Sequence, residues 1–172
     1  MRRLILFRHG KTEARAPSGD DFGRRLMERG RSDSALMGRV LAAAGYAPDL
    51  ALVSPAARAR ETWDLAKAAF PTAEVRFRQG LYDATPEEVS AEIQASAGSG
   101  DTMMVIGHNP SLQELAVNLV AENCGRYLDI DRLSAAFPTA AAAVFGIDDA
   151  GRSELEALLR ASDYRQAGEA RP

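Results

Sequence analysis

The sequence predicts an α/β fold: a single-domain, three-layer sandwich in which a mostly parallel sheet is flanked by helices. Two observations carry that prediction. Short unbroken apolar runs, typical of strands buried on both faces, recur along the chain. Each is followed by a stretch with apolar residues at helical spacing, and the alternation repeats four times. A third observation sets the domain count, since no internal repeat, low-complexity block or linker divides the chain. Such alternation implies right-handed crossovers and places ligands at the carboxyl ends of the strands.

Residues 4–7, Leu-Ile-Leu-Phe, form the first predicted strand, and His9-Gly10 follows directly on its carboxyl end. Residues 12–29 are rich in charge, Gly and Pro and read as a loop that folds over or beside that end. Over residues 30–45, Leu36, Met37, Val40, Leu41 and Ala44 recur at helical spacing, and Gly45 is a natural stop. Residues 49–53 read as the second strand, and 56–70, ended by Pro71, as the second helix. A weaker strand at 74–77 precedes a helix at 86–95, which opens with Pro86, Glu87 and Glu88 as helix starts prefer. Residues 102–106 give another apolar strand, and 111–121 a helix with Leu112, Leu115, Ala116, Leu119 and Val120 on one face. Residues 140–147 read as a further strand, 153–159 as either strand or helix, and 125–138 fit no element clearly. The domain is expected to occupy 1–165, with 166–172 a frayed tail.

A chain of 172 residues is long enough to bury one sizeable core. Its 46% apolar and 26% charged content is that of a globular protein, which excludes disordered and fibrous classes. With a net charge of −3 and a pI near 5.5 there is no general basic field, and no basic patch in the sequence substitutes for one. Nucleic acid and membrane are therefore not expected partners. The apolar run at 4–7 is closed by Arg8, too early for a signal peptide, and nothing approaches the roughly 20 apolar residues of a membrane span. The lone Cys124 cannot form an internal disulfide, and no Cys/His run has zinc-site spacing. A cytoplasmic protein without metal or cofactor is the expectation.

Only two histidines occur, and each follows a predicted strand and adjoins a glycine. His9 lies in Phe7-Arg8-His9-Gly10 and His108 in Ile106-Gly107-His108-Asn109-Pro110, so a parallel sheet would deliver both imidazoles to one edge. Arg8 precedes His9, and Ser54-Pro55-Ala56-Ala57-Arg58 aims Arg58 at the same edge. This set suits phosphoryl transfer. A neutral imidazole is a good nucleophile, and a covalent intermediate splits one hard displacement into two easier ones. The transferred group carries its charge on equatorial oxygens, which planar, permanently charged guanidinium forks bind without a metal ion.

Arg8-His9-Gly10, the Ser54-Pro55-x-x-Arg58-Ala59-x-x-Thr62 segment and Gly107-His108-Asn109-Pro110, in this order, resemble the histidine phosphatase superfamily, which includes the phosphoglycerate mutases. Within it the chain is most similar to the small bacterial phosphohistidine phosphatases of the SixA type, over roughly residues 4–147. The resemblance implies that His9 is phosphorylated, that Arg8 and Arg58 bind the phosphoryl oxygens and that His108 donates to them. It adds Asn109 and Arg24 as substrate-binding candidates. Relatives often carry Asp-x-x-Arg-Pro-Leu-Thr before the first helix; here Asp21, Arg24 and Leu26 are kept and the Pro and Thr are replaced by Arg25 and Met27. Members acting on phosphate esters place an acid after the third strand, which implies Asp83 as a general acid.

Each residue also has a plainer reading. A histidine at a strand end is by itself more often structural than catalytic. Arg58 alone would be a solvated helix residue beside Arg60 and Glu61, and Asp83 could serve the next helix start. Ser54 is expected to brace its turn, since no Gly-x-Ser-x-Gly elbow surrounds it. Gly10 and Gly107 are expected where the backbone turns or approaches closely. The leading expectation is a phosphatase acting on protein phosphohistidine or a small phosphorylated metabolite. The alternatives are a broad phosphomonoesterase or mutase-like enzyme and, in another class, a non-catalytic phosphate-binding module.

Overall fold

A computed structural model describes residues 1–16, 19–123 and 126–165 of the chain. The elements run, in order, β1 (Arg3–Arg8), α1 (Glu28–Ala43), β2 (Leu50–Val53), α2 (Ala57–Ala66), β3 (Glu74–Phe77), α3 (Pro86–Ala95) and β4 (Thr102–Gly107). They are followed by α4 (Ser111–Glu122), α5 (Tyr127–Ala135), β5 (Ala142–Ile147), β6 (Ser153–Leu159) and α6 (Ala161–Arg165).

One six-stranded sheet has the order β3-β2-β4-β1-β5-β6. The first four of these are parallel, and β5 and β6 extend the sheet antiparallel. Alternation along each strand divides the core between the faces. Leu4, Leu6, Leu50, Leu52, Met103 and Val105 pack with Val89, Leu112, Leu115 and Leu133, beneath α3, α4 and α5. Ile5, Phe7, Ala51, Val53, Met104 and Ile106 pack with Met37, Leu41, Ala59 and Trp63, beneath α1 and α2. Helices on both faces explain why the central strands are apolar at every position rather than at alternate ones. Among the described residues no helix is long and apolar enough to cross a membrane.

The differences from expectation lie at the margins. Helix α1 begins at Glu28, so Gly30 lies inside it. The glycine is needed there because a Cβ would collide with the backbone of Lys11. The second helix tightens into a 3₁₀ turn at Lys67–Ala69. The stretch at 153–159 resolves as a strand, paired with β5, and α5 fills most of the region that fitted no element. Cys124 and the 166–172 tail lie outside the described residues.

Candidate active site

Strands β1 and β4 are adjacent and in register, Arg8 opposite Gly107, so the residues that follow them emerge side by side. His9 N donates to Gly107 O at 3.1 Å and locks the two strand ends together. The imidazoles of His9 and His108 consequently lie with centroids 5.1 Å apart. Gly10 permits this packing, because a Cβ there would stand 2.5 Å from Gly30 O and 2.6 Å from Ser34 Oγ. Gly107 differs, since a Cβ would meet Leu112 at an ordinary 3.5 Å and no close approach demands a glycine.

His9 Nδ1 lies 2.8 Å from Gly10 O. A carbonyl only accepts, so Nδ1 carries the proton and Nε2 of the neutral ring keeps its lone pair. Burial, reinforced by the nearby His108, Arg58 and Arg8, pushes the His9 pKa down to about 3. Burial and the Arg58 charge push His108 down to about 4. Both rings are thus neutral near pH 7.

Arg58, at the start of α2 and 6% exposed, donates from Nε to His108 Nδ1 at 3.2 Å. Its Nη1 and Nη2 donate to Asp21 O and Oδ2 at 2.7 and 2.8 Å. The Thr62 hydroxyl, one turn further along α2, donates to Arg58 O and accepts from Gly10 N, tying α2 to the end of β1. Arg8 is half-buried and donates from Nη1 to Phe137 O at 2.7 Å. Its Nε is buried without a hydrogen-bond partner among the described residues. Burial lowers the Arg8 pKa, but a guanidinium stays charged.

The loop expected over the first strand's end is there: Thr12 bridges to Leu26, and Glu13 N and Met27 N donate across it to Arg25 O and Lys11 O. Its Asp21 side chain accepts from Arg24, Arg58 and the Tyr82 hydroxyl, and the Arg24 and Arg58 guanidiniums hold its carboxyl below the usual range, Arg24 contributing most.

These side chains line one cleft of about 840 Å³, which gathers Arg8, His9, Arg24, Arg58, Asp83, His108 and Asn109. Every site residue singled out in the sequence therefore reaches the same cleft, where several already have protein partners. Arg24 is engaged with Glu13 O, Asp21 Oδ1 and Thr12 Oγ1. Asn109 Nδ2 donates to Gln113 Oε1 and Phe137 O. Asp83 adopts a left-handed φ of 53° beside the cleft. Sequence reasoning missed Tyr82, whose ring meets His108 edge-on with centroids 5.9 Å apart, and the hydrogen bond between His108 Nε2 and Ser54 Oγ. A tyrosine beside Asp83 carried no spacing signal, whereas Ser54 stood within the Arg58 motif. Among the described residues no group of three or more His, Cys, Asp or Glu could hold a metal ion.

The buried neutral histidines have a consequence for stability. Unfolded, each protonates near pH 6.5, whereas folded they resist protonation until about pH 3 and 4. The unfolded state then binds more protons below pH 6.5, so stability falls as the pH drops through that window. At pH 5 the loss is on the order of 4 kcal/mol for the two together. Thermal melts are expected to show a steeper fall in Tm between pH 7 and pH 5 for the wild type than for a His9→Asn/His108→Asn double variant.

The layered sheet with both histidines at its carboxyl edge defines an α/β protein of phosphoglycerate mutase-like architecture. Residues 4–90 match the family model of the histidine phosphatase superfamily (branch 1). The chain belongs to that family. It is 35% identical to uncharacterized protein Rv1276c of Mycobacterium tuberculosis over 141 residues, covering 81% of this chain and 86% of the relative. It is 30% identical to uncharacterized chloroplastic protein At3g52155 of Arabidopsis thaliana, covering 92% and 77%. Among solved structures, the Agrobacterium tumefaciens protein bearing the name SixA is 30% identical, covers 92% of this chain and 97% of that one, and superposes with a TM-score of 0.80. Membership of this family and the SixA-like fold support phosphatase activity.

Proposed function

We propose that the chain dephosphorylates phosphohistidine carried on a protein, through a phosphoryl intermediate on His9 Nε2 and without a metal ion. The state of His9 carries this reading: Nδ1–H is committed to Gly10 O, and the opposite nitrogen is left unprotonated in a cleft that also holds the guanidinium groups of Arg8, Arg24 and Arg58. Nε2 attacks phosphorus as the bond to the substrate's imidazole nitrogen breaks, and solvent protonates the departing imidazole. Water then attacks phospho-His9, which releases inorganic phosphate and restores the ring. Arg8 and Arg58 bind the equatorial oxygens and match the charge distribution of the transition state, which makes their contribution catalytic. Arg24 acts through Asp21, and Asn109 through the Phe137 carbonyl that also holds Arg8. The single cysteine and acidic balance agree with work in the cytoplasm on a protein or small-metabolite substrate rather than nucleic acid or membrane.

Asp83 in the cleft gives a second reading, hydrolysis of phosphate esters, some weight. An alkoxide leaving group needs a proton, whereas imidazole leaves with far less help. Phosphate release from a phosphohistidine peptide, a phosphoserine peptide and 3-phosphoglycerate, without added metal, compares the two. The P–N substrate is expected to turn over fastest, and Asp83→Asn to leave it within about twofold while lowering any ester turnover by about 10²-fold. Faster turnover of an ester, lost in Asp83→Asn, would overturn the phosphohistidine assignment.

A further inference from the structure

Ser54 is fully buried at the end of β2, and its Oγ lies 2.8 Å from His108 Nε2. The other ring nitrogen, Nδ1, faces Arg58 Nε at 3.2 Å. These contacts fix the position of one proton. An arginine N–H only donates, so Nδ1 must accept; a neutral imidazole carries a single proton, so it resides on Nε2 and is donated to Ser54 Oγ. The hydroxyl can accept it without itself ionising.

Resting on the phosphatase reading above, we infer that Ser54 is a positioning residue that receives the His108 Nε2–H while Arg58 keeps Nδ1 unprotonated, so that Nδ1 is the ring's basic nitrogen and receives a proton brought in by the substrate. A phosphoryl monoanion entering the cleft draws the Arg58 Nε–H from Nδ1 onto one of its oxygens. Its own P–O–H proton then passes to Nδ1. The products of that step are an imidazolium, with Nε2–H still on Ser54, and a phosphoryl dianion that accepts from Nδ1–H and Arg58. One proton moves, one negative charge appears on the phosphoryl group, and one positive charge appears on His108. The resting ring therefore contributes no charge until a phosphoryl group arrives. Without Ser54 the Nε2–H would be buried with no acceptor, a loss that weighs most on the imidazolium, so proton uptake at Nδ1 would be disfavoured.

Nitrogen-15 NMR of the imidazole rings locates the proton directly. In the wild-type protein the His108 proton is expected on Nε2. With the substrate turned over fastest, Ser54→Ala should lower kcat by about 10- to 100-fold with KM little changed, and Ser54→Thr, which keeps the hydroxyl, should restore the rate. A wild-type His108 protonated on Nδ1 overturns the inference, as does a folded Ser54→Ala protein with the wild-type kcat. The wild-type measurement requires neither a variant that folds nor turnover. An inactive wild-type enzyme would sink the phosphatase reading, while the proton's place on His108 would still decide this one.

Discussion

Replacing His9 with alanine is expected to lower kcat/KM on a phosphohistidine donor by at least about 10⁴-fold and to abolish the covalent phosphoryl adduct expected by intact mass in the wild type. The size of the effect follows from the role. Arg8 and Arg58 would still gather the phosphoryl oxygens, but water would have to attack directly, without the two-step route. The variant should fold, since the His9 ring makes a single hydrogen bond, to a carbonyl that would be left beside the cleft. Added imidazole, occupying the space of the missing ring, should recover part of the rate. Turnover within tenfold of wild type, or an adduct persisting in the variant, would remove His9 from the mechanism.

The second large effect is expected at Arg58. Arg58→Ala should reduce kcat/KM by about 10³-fold, chiefly through kcat, because the guanidinium is matched to charge that develops on the transferring group. Arg58→Lys should recover little of it. An ammonium is a compact point charge and cannot simultaneously reach His108 Nδ1, Asp21 O and Asp21 Oδ2, as the planar fork does. Steady-state kinetics with a phosphohistidine peptide distinguish the outcomes: a rise in KM at constant kcat would mean that Arg58 grips the ground state alone.

The parts of this molecule legible in its sequence are those governed by local pattern. Strand β1 announced itself as four apolar residues closed by Arg8, and α3 through Pro86 and its acidic first turn, which the structure completes with a reciprocal cap between Thr85 and Glu88. His9 and His108 could be placed together because parallel strands share a direction. Strand β6 was ambiguous because it lies at the sheet's end, where Glu154 and Glu156 face solvent and the alternation Ser-Glu-Leu-Glu-Ala carries little apolar signal. Helix α5 eluded the reading because Tyr127 and Leu128 at its start are exposed, and Leu133 is its only deeply buried apolar anchor. At the site, sequence could nominate Arg24 and Asn109 as ligands. It could not show that Glu13, Thr12, Gln113 and Phe137 engage their donors first, since such bonds join residues far apart in the chain.

Helix α5 and the residues just after it stand behind the catalytic edge. The carbonyl of Phe137 holds both Arg8 and Asn109, and the carbonyls of Leu133 and Ser134 hold the Gln113 amide that in turn orients Asn109. A guanidinium seated against a backbone oxygen inherits whatever displacement that backbone undergoes. Leu133 is buried and does not line the cleft, yet a change in its bulk is expected to shift the Phe137 carbonyl and with it Arg8, while every cleft-lining side chain keeps its identity. Two chains with the same catalytic residues would then differ in strength, and the cause would lie in a helix that no motif marks.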